Sequence, residues 1–396
     1  MILFSIVLAL LTIVLWFPAL VDLASLVGTL LRARDDTSEV NPPTARPKLL
    51  FLIPAHNEHL LITHCVESFV RMDYPTSARR IVVIADNSTD DTATLARKAG
   101  ADCLERFDAE RRGKPHALAW ALTQIDIRDF DACVIVDADT TVDRGFAKAL
   151  AAMSPLDDIA LQANIGTLNE WDNWLTRLAG VLARCRYEVT YRLRDAAGIN
   201  CPLTGNGMCI GRRLLDQGWQ AFSLTENWEL YARYTASGIR IRYAHDARIL
   251  TQQVRTMRQG QIQRSRWLAG RISVLRAWGS TILRSRATPL RDKLATVGEL
   301  GALSPVLQLS AALLVGSLAL VSRGPGSQWI AIAAFASVMM QLAATLVVLL
   351  RHPDPLGTLS AFLYLPAYAI WRTTVAAGTM LIPGNGEWRK TERHSL

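Results

Sequence analysis

The sequence predicts an α/β domain on a mostly parallel sheet, with apolar, membrane-spanning helical segments at both ends of the chain. Three observations carry this prediction. In the middle of the chain, short continuous apolar runs alternate with amphipathic stretches, the pattern of strands buried on both faces between helices. The apolar residues, 50% of 396, crowd toward the two ends and lift the mean hydropathy to +0.17. The net charge is +8, as expected where Lys and Arg face anionic headgroups. Aromatic and basic residues do not interleave as in nucleic-acid readers, so no nucleic-acid partner is expected.

In order along the chain, residues 1–32 are almost wholly apolar from Ile2 to Leu31, enough for a spanning helix. Neither a basic leader nor a small-residue cleavage site marks it as a removed signal. Arg32 and Arg34 follow, so the positive-inside rule puts what comes next in the cytoplasm. A proline-rich linker covers 33–48. Leu49–Ile53 then predicts a strand, His59–Val70 a helix, and Arg80–Ala85 a second strand. Thr89–Ala99, capped by Ser88 or Thr89, predicts a second helix, and Ala132–Val136 a third strand. This domain occupies 49–267.

Leu268–Arg286 carries arginines and Trp278 among aliphatics, which predicts an amphipathic helix on the membrane surface within a region 268–295. Val297–Val321 and Trp329–Leu350 predict two spans. Leu356–Ile382, interrupted by Pro366 and Arg372, either spans or re-enters; these segments form a region 296–383, and a basic tail covers 384–396. The six cysteines include no C-x-x-C pair. That favours a reducing compartment and excludes a structural zinc site of that kind.

In a parallel sheet, ligands bind outside the carboxyl ends of the strands. Asp137 and Asp139 straddle Ala138 just after the third strand, and their hard oxygens suit Mg²⁺ or Mn²⁺ beside a phosphate. A solvated strand-end loop is the competing explanation. Asp86 ends the second strand and projects toward the same crevice, whereas Asp90 and Asp91 suit the first turn of the next helix. Lys114, after Arg111-Arg112-Gly113, opens a helix near that crevice. Gln263 and Trp267 are helical neighbours with Arg266 beside them, able to hold a diphosphate and floor a sugar ring. A basic, Trp-anchored membrane helix would read the same way. Glu226 and Glu229 lie at one helical start, where a carboxylate can act as a general base or merely favour the helix dipole.

Seven segments occur together and in order: F-L-I-P-A-H-N-E (51–58), I-A-D-N-S-T-D-D-T (84–92), G-K-P-H-A-L (113–118), Asp137-Ala138-Asp139, L-T-G-N-G-M (203–208), T-E-N-W-E-L (225–230) and Q-R-S-R-W (263–267). Together they resemble the family 2 glycosyltransferases, most closely the membrane-embedded branch with cellulose, chitin, hyaluronan and poly-N-acetylglucosamine synthases. The resemblance implies a GT-A fold and inverting transfer of a sugar, from a UDP-sugar, to a polysaccharide, oligosaccharide or lipid-linked acceptor. It implies a multi-pass protein of the cell inner membrane with a cytoplasmic catalytic domain, and membrane lipids and export or polysaccharide-complex partners around it. Glu58, Asp86, Lys114, Asp137, Asp139 and Arg266 would bind the nucleotide sugar, with Asp139 on the Mg²⁺ or Mn²⁺. Gly205, Asn206, Gln263 and Trp267 would border the acceptor.

The chain departs from the family at His56, where an aromatic Tyr is common, and at position 227. Asn227 stands where a Thr-Glu-Asp motif carries the general base, and an amide cannot accept that proton. The catalytic set is then Glu226, Asn227 and Arg266, with Glu226 expected to act as base and Glu229 the alternative. A catalytically impaired scaffolding subunit of an exopolysaccharide complex is the competing reading.

Overall fold

The computed structural model describes residues 2–32, 46–322 and 324–381. Most of the expected linker and all of the basic tail lie outside the described residues. The eight strands are β1 (Leu49–Ala55), β2 (Arg79–Asp86), β3 (Asp102–Arg106), β4 (Ala132–Ile135), β5 (Thr140–Val142), β6 (Ala160–Thr167), β7 (Met208–Gly211) and β8 (Ile241–Thr251). They form one sheet in the order β3-β2-β1-β4-β7-β6-β8-β5. The first four are parallel, with Leu52 opposite both Val82 and Ile135. β7 runs antiparallel between β4 and β6, so the sheet is mixed in its second half. That reversal positions the site: the start of β7 meets the end of β4, with Met208 opposite Ile135.

The helices are α1 (Ile2–Arg32), α2 (Ile62–Val70), α3 (Thr92–Lys98), α4 (Lys114–Gln124), α5 (Phe146–Ala151), α6 (Trp174–Arg184), α7 (Arg192–Ala196), α8 (Glu226–Ala236), α9 (Met257–Arg284), α10 (Leu290–Gly301), α11 (Pro305–Ser322), α12 (Ser327–Leu350), α13 (Pro355–Ala361) and α14 (Leu365–Leu381). A π-helical stretch, Cys185–Tyr191, joins α6 to α7. One face of the sheet packs α2, α3 and α5, around Phe51, Phe69 and Phe146 with ring centroids 5.2–6.5 Å apart. The other face packs α4, α8, α9 and α10 over Leu50, Leu52, Leu118, Trp228 and Tyr231. Strands covered on both sides must be apolar throughout, which is why β1 reads L-L-F-L-I.

α11 and α12 are long and apolar enough to cross a membrane, with mean hydropathies of 1.8 and 2.2. α1 packs on both through Leu8, Leu15, Ala312, Val315 and Ala334. Trp16 donates to Ala333 O at 2.8 Å, and Gln308 to Leu15 O at 2.9 Å.

Three expectations change. The helix expected at Leu268–Arg286 is the second half of α9, and its Val274 and Ile282 are buried against α8 and α10. Its apolar side therefore covers the domain core. The span expected at Val297–Val321 breaks after Gly301 and restarts at Pro305, a residue suited to a first helical turn. The segment expected at Leu356–Ile382 is two helices, the second only 17 residues long and leaning on α9.

The turn after α12 is tied to the sheet domain. The buried His352 ring lies 2.9 Å from Glu170 Oε1 through Nε2, and Arg184 holds Glu170 Oε2 at 2.7 Å. Thr358 and the Asp354 backbone meet the other ring nitrogen.

Candidate active site

The crevice is built from strand ends and the loops after them. β2 and β4 are separated by β1, so Asp86 and Asp137 lie on either side of the His56-Asn57-Glu58 turn. That turn is locked to β2. His56 Nδ1 donates to Asp86 O at 2.7 Å, and Asn57, at φ 55°, accepts from Thr89 N at 2.8 Å through Oδ1. Glu58 N donates to Thr92 Oγ1 at 2.8 Å. Asp90 accepts from Thr92 N at 3.0 Å; burial raises its carboxyl, but hydrogen bonds from the Thr92 hydroxyl and amide and from His59 outweigh this and hold it down at about 2. The N-cap position is Asp91 rather than Ser88 or Thr89, and α3 starts three residues after Thr89.

Asp86 has a partner the sequence did not announce. Arg106, ending β3 beside it, binds Asp86 Oδ1 at 2.6 Å, and both side chains are buried. Gly113 N donates to Asp86 Oδ2 at 3.3 Å, and Asn87 Nδ2 to Oδ1 at 3.0 Å. Arg106 also holds Asp108 and Arg111 O, folding the 107–113 loop over the crevice. The signal was available: the last residue of a strand next to Asp86 is a cation. A polar edge strand such as D-C-L-E-R conceals it. Replacing Arg106 by Met strands a buried carboxylate, which should cost about 3–5 kcal/mol. We expect a Tm drop of that size, together with weaker nucleotide binding. An unchanged Tm would count against the pairing.

Lys114 lies at the centre. Its Nζ sits 2.5 Å from Asp137 Oδ1, 2.5 Å from Gly205 O and 3.7 Å from Glu226 Oε1. Glycine at 205 has φ 94°, which suits the turn that presents this carbonyl. Asn206 Oδ1 accepts from Asp137 N at 3.1 Å, while its Nδ2 donates to Thr140 Oγ1 at 2.8 Å. Gln162 braces the loop from below, donating to Asn206 O and accepting from Thr204 N, both at 2.8 Å. Asn227 Nδ2 donates to Leu203 O at 2.9 Å. The L-T-G-N-G loop is therefore knit to the Asp137 turn and to α8 at once.

Glu226 is nearly buried. Desolvation raises its carboxyl above the ordinary value; Lys114 opposes this, Asp137 reinforces it and Arg266 opposes it. Lys114 is held above its ordinary value by Asp137 and Glu226 despite burial, so it stays cationic. Glu229 faces elsewhere: its Oε2 accepts from Phe222 N at 3.1 Å and Ser223 N at 2.9 Å. Of the two candidate bases, only Glu226 joins the Lys114 cluster.

Asp139 is almost enclosed and accepts through Oδ1 from Thr140 Oγ1 at 3.1 Å and Thr251 Oγ1 at 3.4 Å. No group of three or more His, Cys, Asp or Glu gathers around a metal position among the described residues. The protein thus offers Asp139 with Asp137 nearby, and a hard cation there would take its remaining oxygens from a diphosphate and water, the usual habit of Mg²⁺. The donor chemistry fits that class of ion.

Gln263, Arg266 and Trp267 lie on α9. Arg266 reaches the field of Glu226, and Trp267 is 46% exposed. Gly270 sets how closely α9 approaches: a Cβ there would collide with the Thr225 side chain, one residue before Glu226.

Comparison with known proteins agrees with this architecture. The family model described as "Glycosyltransferase like family 2" matches residues 47–270. A probable glycosyltransferase, YdaM, of Bacillus subtilis is 26% identical over 57% of this chain and 55% of its own length. A beta-monoglucosyldiacylglycerol synthase of Nostoc is 24% identical over 61% of this chain and 52% of its own. The chain spans about half the length of these relatives. A mannosyltransferase of Pyrobaculum calidifontis, solved with GDP-mannose and Mn²⁺, shares the fold with a TM-score of 0.58 at 20% identity, over 94% of this chain and 99% of that one. With the matched segment covering more than half of the chain, and the whole sheet, the strand-end carboxylates and the first half of α9 within it, the chain belongs to glycosyltransferase family 2.

Proposed function

We propose that the protein is an inverting glycosyltransferase that moves a sugar from a nucleoside diphosphate sugar to a hydroxyl acceptor at the cytoplasmic face of a membrane. The observation that carries this reading is the Lys114 ammonium, which touches the Asp137 carboxylate, the Gly205 carbonyl and the field of Glu226 together. One cation thus joins the turn suited to the donor to the loop and helix suited to the acceptor.

In this reading Asp86, set by Arg106, and Glu58 meet the nucleoside, and Asp137 its ribose or diphosphate end. Asp139 would hold Mg²⁺ or Mn²⁺, which when bound offsets the charge of the departing diphosphate. Lys114 and Arg266 stabilise the same charge from the protein side. Glu226 accepts the acceptor's hydroxyl proton as its oxygen bonds the anomeric carbon and the bond to the diphosphate breaks. Gly205 and Asn206 shape the acceptor wall, and Gln263 and Trp267 border its reacting end. The family relatives support a nucleotide-sugar donor. A UDP-sugar is our first choice, and GDP-mannose belongs in any panel because a protein of the same fold was solved with it. α11, α12 and the neighbouring α1 support a membrane-held enzyme.

Asn227 favours one other reading, an impaired subunit of a polysaccharide complex. The test for both is nucleotide release by the full chain in detergent, with Mn²⁺ and a panel of UDP- and GDP-sugars. We expect release that depends on Mn²⁺. No release from any donor, and none restored by Asn227→Asp, would overturn the enzyme reading.

A further inference from the structure

The L-T-G-N-G loop is held residue by residue. Gln162, fully buried on β6, accepts from Thr204 N and donates to Asn206 O. Ala163 N donates to Gly207 O at 2.9 Å. Asn206 Oδ1 accepts from Asp137 N, and Lys114 donates to Gly205 O. Those ties reach β6 and the donor side of the crevice. Among the described residues, the α8 side chain that hydrogen-bonds this loop is Asn227, which donates from Nδ2 to Leu203 O at 2.9 Å.

That contact is enclosed. Asn227 is 8% exposed, and a Cβ on Gly205 would lie 3.4 Å from its Cγ. Chemistry fixes the amide's orientation, because turning it over would set its oxygen against the Leu203 oxygen. The contacts also close a circuit. Leu203 leads in two residues to Gly205, whose carbonyl is 2.5 Å from Lys114 Nζ. Lys114 Nζ is 3.7 Å from Glu226 Oε1, and Glu226 adjoins Asn227. The separation of the proposed base from its cation therefore depends on α8 staying fastened to the loop. Only a donor can fasten it. An ionised aspartate at 227 would donate nothing, would leave the Leu203 carbonyl unpaired, and would bury a charge against it.

We propose that Asn227 is a positioning residue, an amide tether that sets Glu226 against Lys114 by fastening α8 to the Gly205 loop, so that an acid at this position impairs transfer. This rests on the transferase reading above.

The test compares Asn227→Asp with Asn227→Leu in the full chain in detergent. Both remove the donor at nearly constant size, and only the first adds charge. Hydrogen exchange over residues 203–208 reads the tether without turnover, and it should quicken several-fold in both variants. For transfer, kcat should fall by up to about 10²-fold, the cost a misplacement of about 1 Å can carry. The pH profile separates positioning from packing. Burial raises the Glu226 carboxyl, Lys114 and Arg266 oppose the rise, and Asp137 adds to it. A loosened Lys114 opposes it less, so the acidic limb of kcat/KM should move to higher pH in Asn227→Leu; a packing role alone would leave the limb in place. Asn227→Gln keeps a donor and should recover part of the exchange protection and of kcat. Should the leucine variant fail to fold, the aspartate and glutamine variants still compare acceptor with donor. Native exchange in both Asn227→Asp and Asn227→Leu, an unmoved limb in Asn227→Leu, or transfer in Asn227→Asp equal to the native rate would overturn the proposal. Faster loop exchange in a protein that never releases nucleotide would sink the transferase reading and leave the tether standing. Nucleotide release with native loop exchange in the variants would do the reverse.

Discussion

Glu226→Gln is expected to lower sugar transfer by about 10³-fold, within the range general-base removal usually costs, while nucleotide affinity stays near that of the native protein. The carboxylate is the group the acceptor proton needs, and the amide keeps the size and most contacts of the side chain. The pH dependence gives an independent check. Burial raises the Glu226 carboxyl above its ordinary 4.5, and Lys114 draws it back. A base works only when deprotonated, so kcat/KM should fall on an acidic limb lying above that value. Lys114→Met removes the opposing cation and should move the limb to still higher pH, separately from any loss in rate. A limb that stays in place in that variant, or full turnover in Glu226→Gln, would refute the assignment. Asn227→Asp puts a second carboxylate beside Leu203 and Gly205; transfer restored to Glu226→Gln by that change would show the position can take over the role.

Asp139→Asn should be as severe. A metal that offsets leaving-group charge contributes several kcal/mol to the transition state, so the loss is expected near 10³-fold. The substitution keeps the Thr140 and Thr251 contacts in reach, and Tm should hardly change. Calorimetry of Mn²⁺ in the presence of nucleoside diphosphate reads the site without turnover. Binding should weaken strongly in Asp139→Asn and far less in Thr251→Val, whose hydroxyl only orients the carboxylate at 3.4 Å. Tight Mn²⁺ binding that persists in Asp139→Asn would move the metal elsewhere.

The parts of this fold legible in the sequence are those whose physics is local. β1, β4 and the Ile81–Ala85 stretch of β2 are buried and apolar without interruption, so their positions follow from residue type alone. The carboxylates after them could then be placed at one edge of the sheet. β3 is half polar because it is an edge, and with it Arg106 went unseen. β5 to β8 pair across long stretches of chain, and nothing within T-T-V or M-C-I-G says which neighbour each will find. The antiparallel insertion of β7, which brings Asn206 to Asp137, is a property of the assembled sheet. α9 illustrates the same limit: arginines and Trp278 read as a surface helix, but Gly270 and Val274 fit the helix to α8. Glu226 and Glu229 look alike in sequence, and only the fold separates them, one toward Lys114 and the other onto the Phe222 loop.

The Glu170 carboxylate, gripped by Arg184 on one oxygen and by His352 on the other, fastens the far end of α12 to the helix that opens the catalytic layer. α1 packs on the same hairpin and also against α7 of the sheet domain, a second mooring. The enzyme we propose would then work at a set height above the bilayer, like a tool on a fixed stand. An acceptor must rise to meet it, and molecules whose hydroxyl sits too deep or too far out would be passed over whatever their chemistry. Reach would select substrates before recognition does.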